Sequence, residues 1–187
     1  MTRLSDITYA ISDTGPLISA FQSDSFDLLI EIFTEIYTLT ICLDELKRHG
    51  WERACSTVPK LIVVELTSDE ERLALKFAGQ IANHPDTHDL VVESHLGEAQ
   101  AIALALRVEY RNDLLLLDEL AARKIAKQNG VKLSGFPGVL LLAVQGGLIS
   151  AEELRARLEK CRAQGTHYGT RFIQRVYEMA KRERRRM

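Results

Sequence analysis

The sequence predicts an α/β fold in which a parallel sheet of about five strands is flanked by helices and followed by a C-terminal helical pair. Short apolar runs alternate along the chain with longer segments in which apolar residues recur three and four positions apart. The runs are almost continuously apolar, which is typical of parallel strands that helices cover on both faces. At 187 residues and 46% hydrophobic content, the chain is large enough to bury such a core.

The first part of the chain alternates strands and helices. Apolar runs rich in β-branched residues predict the strands, and the 3.6-residue period predicts the helices. In order, they are a strand at 7–12, helices at 16–21 and 25–36, a strand at 36–42, a helix at 43–50, a strand at 60–66 and a helix at 68–82. Capping residues mark two helix starts, at Asp24 or Ser25 and at Ser68 or Asp69.

The second part continues the alternation after an ambiguous stretch. Segment 83–95 shows neither period, and we interpret it as a loop or a short helix. There follow a helix at 97–110, a strand at 113–117, a helix at 118–130, a strand at 131–135 and a helix at 137–147. Two amphipathic helices come last, near 150–164 and 169–184, and Ser150 is a good cap for the first.

The simplest domain division is an α/β domain at residues 1–148 and a C-terminal helical extension at 149–187. The sequence shows no internal repeat and no low-complexity linker. The extension ends in a basic tail, "AKRERRRM". We interpret this tail as a solvated helix end, and contact with nucleic acid or an acidic partner is the alternative.

Composition excludes several classes of protein. No apolar run approaches the roughly 18 residues that a membrane span needs, and the first residues have no signal-peptide pattern. The three cysteines, Cys42, Cys55 and Cys161, are odd in number and far apart, which argues against a disulfide framework or a Cys-type zinc site. We therefore predict a cytoplasmic protein. Walker A, Rossmann glycine and Gly-x-Ser-x-Gly motifs are absent from the sequence.

Acidic residues stand where an open parallel sheet binds its ligands, beyond the carboxyl ends of the strands. Asp13 ends the first predicted strand, and Asp118 ends the fourth. Glu45 opens the predicted helix after the second strand, and Glu98 lies in the first turn of the helix at 97–110. Each acid alone has a second interpretation, as a helix cap or as a group that favours a helix N-terminus. Their shared location favours a single site.

Carboxylates that converge repel one another, and a hard divalent cation is the usual compensation. Mg²⁺ and Mn²⁺ take oxygen ligands, activate water and stabilise the charge that develops in phosphodiester cleavage. Glu119 is a second candidate for the ligand position that we assign to Asp118. We prefer Asp118 because it directly ends the apolar run. Asp44 is likewise the second choice to Glu45.

Four segments resemble, in order, the motifs of the PIN domain family of metal-dependent ribonucleases, which includes the toxins of toxin–antitoxin pairs. They are "ISDTGPLISA", "TLTICLDEL", "GEAQAIALAL" and "DLLLLDELAARKIA". The resemblance covers about residues 8–145 and is closest to a prokaryotic subgroup of PIN-like proteins, in which the C-terminal helical pair recurs. It implies that the α/β domain at 1–148 is PIN-like.

The resemblance also implies roles for the site residues. Asp13, Glu98 and Asp118 would hold one or two Mg²⁺ or Mn²⁺ ions. Glu45 would complete the catalytic set or hold a metal-bound water, and Thr14 would orient the scissile phosphate or support Asp13. The implied partners are an RNA substrate, an antitoxin protein and a second copy of the chain in a dimer. A PIN-fold binding or regulatory module without catalysis is the alternative, and a metal-dependent phosphatase or DNA nuclease is a weaker one.

Overall fold

The computed structural model describes residues 9–184, with side chains to Arg182, and it confirms the α/β fold. The sheet has five strands, all parallel, in the order β3-β2-β1-β4-β5. They are β1 Tyr9–Ser12, β2 Glu35–Thr38, β3 Leu61–Val63, β4 Leu114–Leu116 and β5 Leu133–Ser134. Strands β2 and β3 lie successively on one side of β1, and the chain then crosses to place β4 and β5 on the other side. The strand order therefore reverses between β1 and β4, where such sheets bind ligands.

Ten α-helices lie in the described part of the chain. They are α1 Thr14–Gln22, α2 Phe26–Ile32, α3 Thr40–Arg48, α4 Glu52–Ser56, α5 Ser68–Ala82, α6 Leu96–Ala105, α7 Leu120–Gln128, α8 Phe136–Gln145, α9 Ala151–Ala163 and α10 Thr170–Arg184. Two 3₁₀ turns, Val92–His95 and Val108–Tyr110, flank α6. None of these helices combines the length and the apolar character needed to cross a bilayer.

The sheet separates two hydrophobic clusters, because successive strand residues point to opposite faces. Ala10 and Leu116 belong to the cluster formed with α1, α2, α8, α9 and α10. Ile11 and Leu115 belong to the cluster formed with α5, α6 and α7. All four side chains are fully buried. The continuous apolar character of the strands thus reflects helices on both faces, as predicted.

The helix predicted at 25–36 is too long at its C-terminal end. It ends at Ile32, and Phe33 already has an extended backbone. Ile36 pairs with Ala10 in the sheet, so the apolar residue that seemed to continue the helix belongs to β2. Burial in the sheet outweighs the helical period here.

The strand predicted at 36–42 is also too long, and the helix predicted at 43–50 begins too late. The strand ends at Thr38, and the next turn of chain already belongs to α3. Cys42 and Leu46 are both buried on α3, at the four-residue spacing of one helical face. The β-branched residues before Cys42 misled the prediction, because tertiary packing decided the backbone there.

Other boundaries differ by smaller amounts. The first helix begins at Thr14 rather than residue 16, the helix predicted at 97–110 ends at Ala105, and the short α4 was not predicted. Segment 83–95 contains a 3₁₀ turn, in agreement with a loop or a short helix. Residues 7 and 8 of the predicted first strand lie outside the described part of the chain.

Helix α5 has the predicted bounds but a different cap. Thr67, and not Ser68 or Asp69, accepts a hydrogen bond from the Glu70 N–H, and Glu70 in turn accepts one from the Thr67 N–H. Glu70 also receives two hydrogen bonds from Arg107, at 2.5 and 2.7 Å. This ion pair joins the start of α5 to the end of α6.

The C-terminal helical pair is confirmed, and it packs on the α1 side of the sheet. Leu158 of α9 and Ile173 of α10 lie in the same cluster as Ala10 of β1. The Arg157 guanidinium donates hydrogen bonds to the carbonyl oxygen of Asp24 at 2.7 Å and to Ser25 Oγ at 2.8 Å. The division at residue 148 remains a prediction. The last three residues of the predicted basic tail, 185–187, lie outside the described residues.

Candidate active site

A cleft of about 510 Å³ opens at the carboxyl ends of β1 and β4. Its lining residues are Asp13, Thr14, Gly15, Ile41, Glu45, Arg48, Glu93, Ser94, Gly97, Glu98, Asp118 and Glu119. All five predicted site residues are among them, and so is the second candidate Glu119. The structure therefore brings together side chains from four separate segments at the point where the strand order reverses.

Asp13 is buried at the start of α1, where it caps the helix. Its Oδ2 accepts a hydrogen bond from the Gly15 N–H at 3.3 Å. Its Oδ1 accepts a weak hydrogen bond from Cys42 Sγ at 3.9 Å. Burial, followed by the charge of Glu98, raises the pKa of Asp13 well above its usual range. The capping interpretation is thus confirmed for Asp13, and it coexists with a place in the cleft.

Glu98 lies in the first turn of α6, as predicted. Burial, together with the charges of Glu119 and Glu45, raises the pKa of Glu98 to about 7. The residue before it is Gly97, where a Cβ atom would lie 3.3 Å from Asp13 Oδ1, closer than most such contacts. The small residue lets α6 begin directly against the first carboxylate.

Glu45 lies in the second turn of α3 and does not open that helix, which corrects the predicted position. It lines the cleft together with Ile41, one turn earlier on the same helical face. The neighbouring Asp44 instead lines a separate groove and forms an ion pair with Lys47 at 3.2 Å. The preference for Glu45 over Asp44 is consistent with this geometry.

Asp118 does not cap its own helix, because Glu119 accepts the hydrogen bond from the Ala122 N–H and caps α7. Asp118 Oδ1 instead accepts a hydrogen bond at 2.9 Å from the Phe136 N–H, at the start of α8. Its Oδ2 accepts one at 3.1 Å from the Tyr168 hydroxyl. Burial raises the pKa of Asp118, and these two donors act in the opposite direction.

Three residues around Asp118 favour the observed position and charge of its carboxylate. A Cβ atom at Gly135 would overlap Asp118 Oδ1, so glycine is required before α8. Arg123 donates a hydrogen bond to the Leu117 carbonyl oxygen at 2.5 Å, and its charge lowers the pKa of Asp118. Burial and the charge of Asp118 raise the pKa of Tyr168, so its phenol stays protonated and can donate.

The hydroxyl of Thr14 is buried without a hydrogen-bond partner among the described residues. Burial raises the pKa of the neighbouring Cys42 thiol to about 12, and the nearby Thr14 hydroxyl acts in the opposite direction. Buried hydroxyl groups normally have a partner, and an atom bound in the cleft is one candidate for Thr14. Thr14 is 2% exposed and is among the residues that line the cleft.

The donor set of the cleft fits a hard divalent cation. The acidic side chains offer oxygen ligands, which Mg²⁺ and Mn²⁺ prefer. Burial, followed by the charges of neighbouring acids, raises the pKa values of Asp13 and Glu98. Within residues 9–184, however, no three acidic, His or Cys side chains are already close enough together to form an ion site. Binding of an ion would therefore require side-chain rotations in the cleft.

Sequence reasoning missed several residues of the cleft and its support. Glu93 and Ser94 lie in the segment that lacked a period, so no signal pointed to them. Arg48 follows Glu45 by three positions on α3, and that helical spacing could have indicated it. Tyr168 contacts Asp118 from a turn 50 residues further along the chain, which no local pattern reveals.

A parallel sheet of this order, with an acidic cleft where the strand order reverses, defines an α/β protein with a candidate site at that cleft. A family model described as a PIN domain matches residues 9–182, and the chain belongs to the PIN domain family. Proteins of this family are in general nucleases and usually bind divalent metals. No curated protein and no solved structure matches the chain.

Proposed function

We propose that this protein is a Mg²⁺- or Mn²⁺-dependent endoribonuclease that hydrolyses RNA phosphodiester bonds. The observation that carries the proposal is the convergence of Asp13, Glu45, Glu98 and Asp118 on one cleft that Thr14 also lines. Four carboxyl groups in a partly buried cleft are costly unless a ligand compensates them. A divalent cation with a bound phosphate supplies that compensation.

The side chains take distinct roles in this proposal. Asp13, Glu98 and Asp118 hold the ion, and Glu45 completes the catalytic set. When bound, the ion supplies Lewis-acid stabilisation of the phosphate charge and lowers the pKa of water. The Thr14 hydroxyl donates a hydrogen bond to an oxygen of the scissile phosphate.

Arg48 extends the substrate contact beyond the catalytic set. Among the described residues that line the cleft, it is the one with a permanently charged cationic group. Its guanidinium is exposed at the rim, where it can bind a phosphate next to the scissile one. This contact would orient a polyanion across a cleft that is otherwise acidic.

The wider biological role is part of the proposal and rests on the resemblance. The protein acts as the toxin of a toxin–antitoxin pair, in the cytoplasm, with RNA as its substrate and an antitoxin protein as its partner. It forms a homodimer. Size-exclusion chromatography with light scattering tests the dimer, and co-expression with a small protein encoded next to it tests the antitoxin.

Cleavage of a mixed RNA substrate with Mg²⁺ or Mn²⁺, compared with EDTA, tests the enzymatic proposal. We expect Asp13→Asn and Glu45→Gln each to reduce cleavage about a hundredfold or more. Asp44→Asn is the matched control, because it changes the adjacent carboxylate on α3 that lines a separate groove. Calorimetry with Mn²⁺ measures ion binding independently of cleavage.

One observation favours the alternative of a PIN-fold binding or regulatory module without catalysis. Both oxygens of Asp118 already accept hydrogen bonds, from the Phe136 N–H and the Tyr168 hydroxyl, so this acid also has a structural role. Wild-type protein that neither cleaves RNA nor binds Mn²⁺ would exclude the enzyme and support this alternative.

A further inference from the structure

Tyr168 connects the C-terminal helical pair to the acidic cleft. Its hydroxyl lies 3.1 Å from Asp118 Oδ2 and 3.3 Å from Ser19 Oγ of α1. The tyrosine is 9% exposed and precedes α10, far from Asp118 in sequence. A phenol that donates to Asp118 can accept from Ser19, so the three groups form a chain of hydrogen bonds from α1 to the cleft.

Hydrogen bonds hold the turn that carries Tyr168 against the end of α1. Gln164 Nε2 donates to the carbonyl oxygen of Gln22 at 2.7 Å, and the Thr166 hydroxyl donates to Gln22 Oε1 at the same distance. The Tyr168 N–H donates to the Thr166 carbonyl oxygen at 2.8 Å. The phenol therefore reaches Asp118 from a position that the core and these bonds define.

Two donors from different elements determine how the Asp118 carboxylate is oriented. The Phe136 N–H binds Oδ1 and the Tyr168 hydroxyl binds Oδ2, so neither oxygen can rotate without loss of a hydrogen bond. A carboxylate oxygen has two lone pairs, so each atom keeps capacity for a further ligand. An N–H alone would leave the group free to turn about that single contact.

We propose that Tyr168 is a positioning residue for divalent-ion binding, which orients Asp118 from the C-terminal helical pair. This inference rests on the proposed function, because it assigns Asp118 to the ion. Hydrogen-bond partners of metal ligands fix the orientation of the ligand, and their loss typically weakens metal affinity about 10- to 100-fold. The C-terminal helical pair is then a component of the site, in addition to its place in the core.

Mn²⁺ calorimetry on wild-type, Tyr168→Phe and Tyr177→Phe full-length proteins tests the proposal. We expect Tyr168→Phe to raise the Mn²⁺ dissociation constant about tenfold and to lower kcat while KM for RNA stays unchanged. Tyr177→Phe is the matched control, because it removes a phenol on α10 that donates at 3.2 Å to Glu152, away from the cleft. We expect that control to bind Mn²⁺ as the wild type does.

A double substitution distinguishes an effect of Tyr168 on Asp118 from a general loss of folded structure. In an Asp118→Asn background, Tyr168→Phe should change Mn²⁺ affinity no further, because its effect passes through that carboxylate. If Tyr168→Phe fails to fold, Ser19→Ala replaces it, since this change removes the hydrogen bond from α1 that orients the phenol toward Asp118. Weaker Mn²⁺ binding by Ser19→Ala would then support the proposal, and unchanged binding would overturn it.

The outcomes distinguish this inference from the proposed function. Wild-type protein that binds Mn²⁺, together with Tyr168→Phe of unchanged affinity, would overturn the positioning role and leave the nuclease proposal intact. If the effects of Tyr168→Phe and Asp118→Asn on the free energy of Mn²⁺ binding were fully additive, the positioning role would also be overturned. Wild-type protein that binds no Mn²⁺ would overturn both proposals.

Discussion

Glu98 shows at the scale of a single residue how burial prepares a carboxyl group for a ligand. Its pKa of about 7 follows first from desolvation and then from the charges of Glu119 and Glu45. Asp13, next to it, shifts in the same direction for the same first reason. Without a cation, the environment of the Asp13 and Glu98 carboxyl groups therefore favours their neutral, protonated forms.

The free energy of unfolding of the metal-free protein should depend on pH through Glu98. Its folded-state pKa lies above the usual 4.5, so the folded state binds more protons between those two values. Stability should therefore rise as the pH falls from 8 toward 5. Glu98→Gln should be more stable than wild type at pH 8, by about 2 kcal/mol, and should depend less on pH.

Urea denaturation of both proteins at several pH values, with EDTA present, measures this difference. Glu93→Gln is a suitable control, because it removes an exposed carboxylate from the same cleft, where solvent screens the charge. A wild-type protein whose stability is greatest at pH 8 would contradict the prediction. Saturating Mn²⁺ should reverse the order of wild type and Glu98→Gln at pH 8.

Helix α5 and the region around β2 show, at the scale of elements, what local sequence can predict. Helix α5 has strong periodicity and acidic residues in its first turn, and its predicted bounds of 68–82 agree with the structure. Around β2, apolar and β-branched residues belong in turn to a helix, a strand and another helix. Local pattern cannot separate these, because pairing with β1 decides where the strand lies.

The ion pair between Glu70 and Arg107 should contribute measurably to the packing of α5 against α6. Both side chains are 17% exposed, the contact is bidentate, and the pKa of Glu70 is lowered to about 2. Arg107→Ala should reduce the free energy of unfolding by about 1–3 kcal/mol at pH 7. Because the pKa of Glu70 is depressed, this contribution is present above pH 4.5 and is lost as the pH falls toward 2.

Arg72→Ala provides the matched control for that prediction. Arg72 forms an ion pair with Asp69 on the same helix, but both side chains are largely exposed to solvent. Such surface pairs contribute little, so we expect no measurable change in the urea midpoint. Equal losses in the two variants would show that the buried pair has no special contribution.

The whole molecule depends on a core that both parts of the predicted division share. Leu154, Leu158 and Val176 of the helical pair lie in one cluster with Leu17 of α1 and Leu140 of α8. A chain that ends at residue 148 would expose the partners of these side chains to water. The predicted boundary therefore marks where the α/β architecture ends. Whether residues 1–148 fold without the helical pair is a separate question.

We expect a truncated protein of residues 1–148 to lose cooperative unfolding and to bind a hydrophobic dye. Circular dichroism melts and dye fluorescence, compared with the full chain, measure this. A chain that ends at residue 182 is the control, because it keeps α9 and most of α10 and removes only the terminal residues. A stable, cooperative 1–148 fragment would show that the α/β domain folds without the helical pair.

The sequence by itself determined the class of fold and four of the acidic residues of the cleft. It could do so because strand and helix periods differ, and because a residue that ends a buried parallel strand must lie at the ligand-binding edge. Asp13, Glu98 and Asp118 were therefore predictable from their positions relative to apolar runs. Glu45 was predictable as a site residue, although its place within α3 was not.

Only the tertiary structure decided how these carboxylates are supported. The hydrogen bonds of Asp118 come from Phe136 and Tyr168, which are 18 and 50 residues away. Such contacts join elements that no short sequence pattern relates. The physical reason is that periodicity records which face of an element is buried, whereas hydrogen-bond partners depend on where the packed elements finally meet.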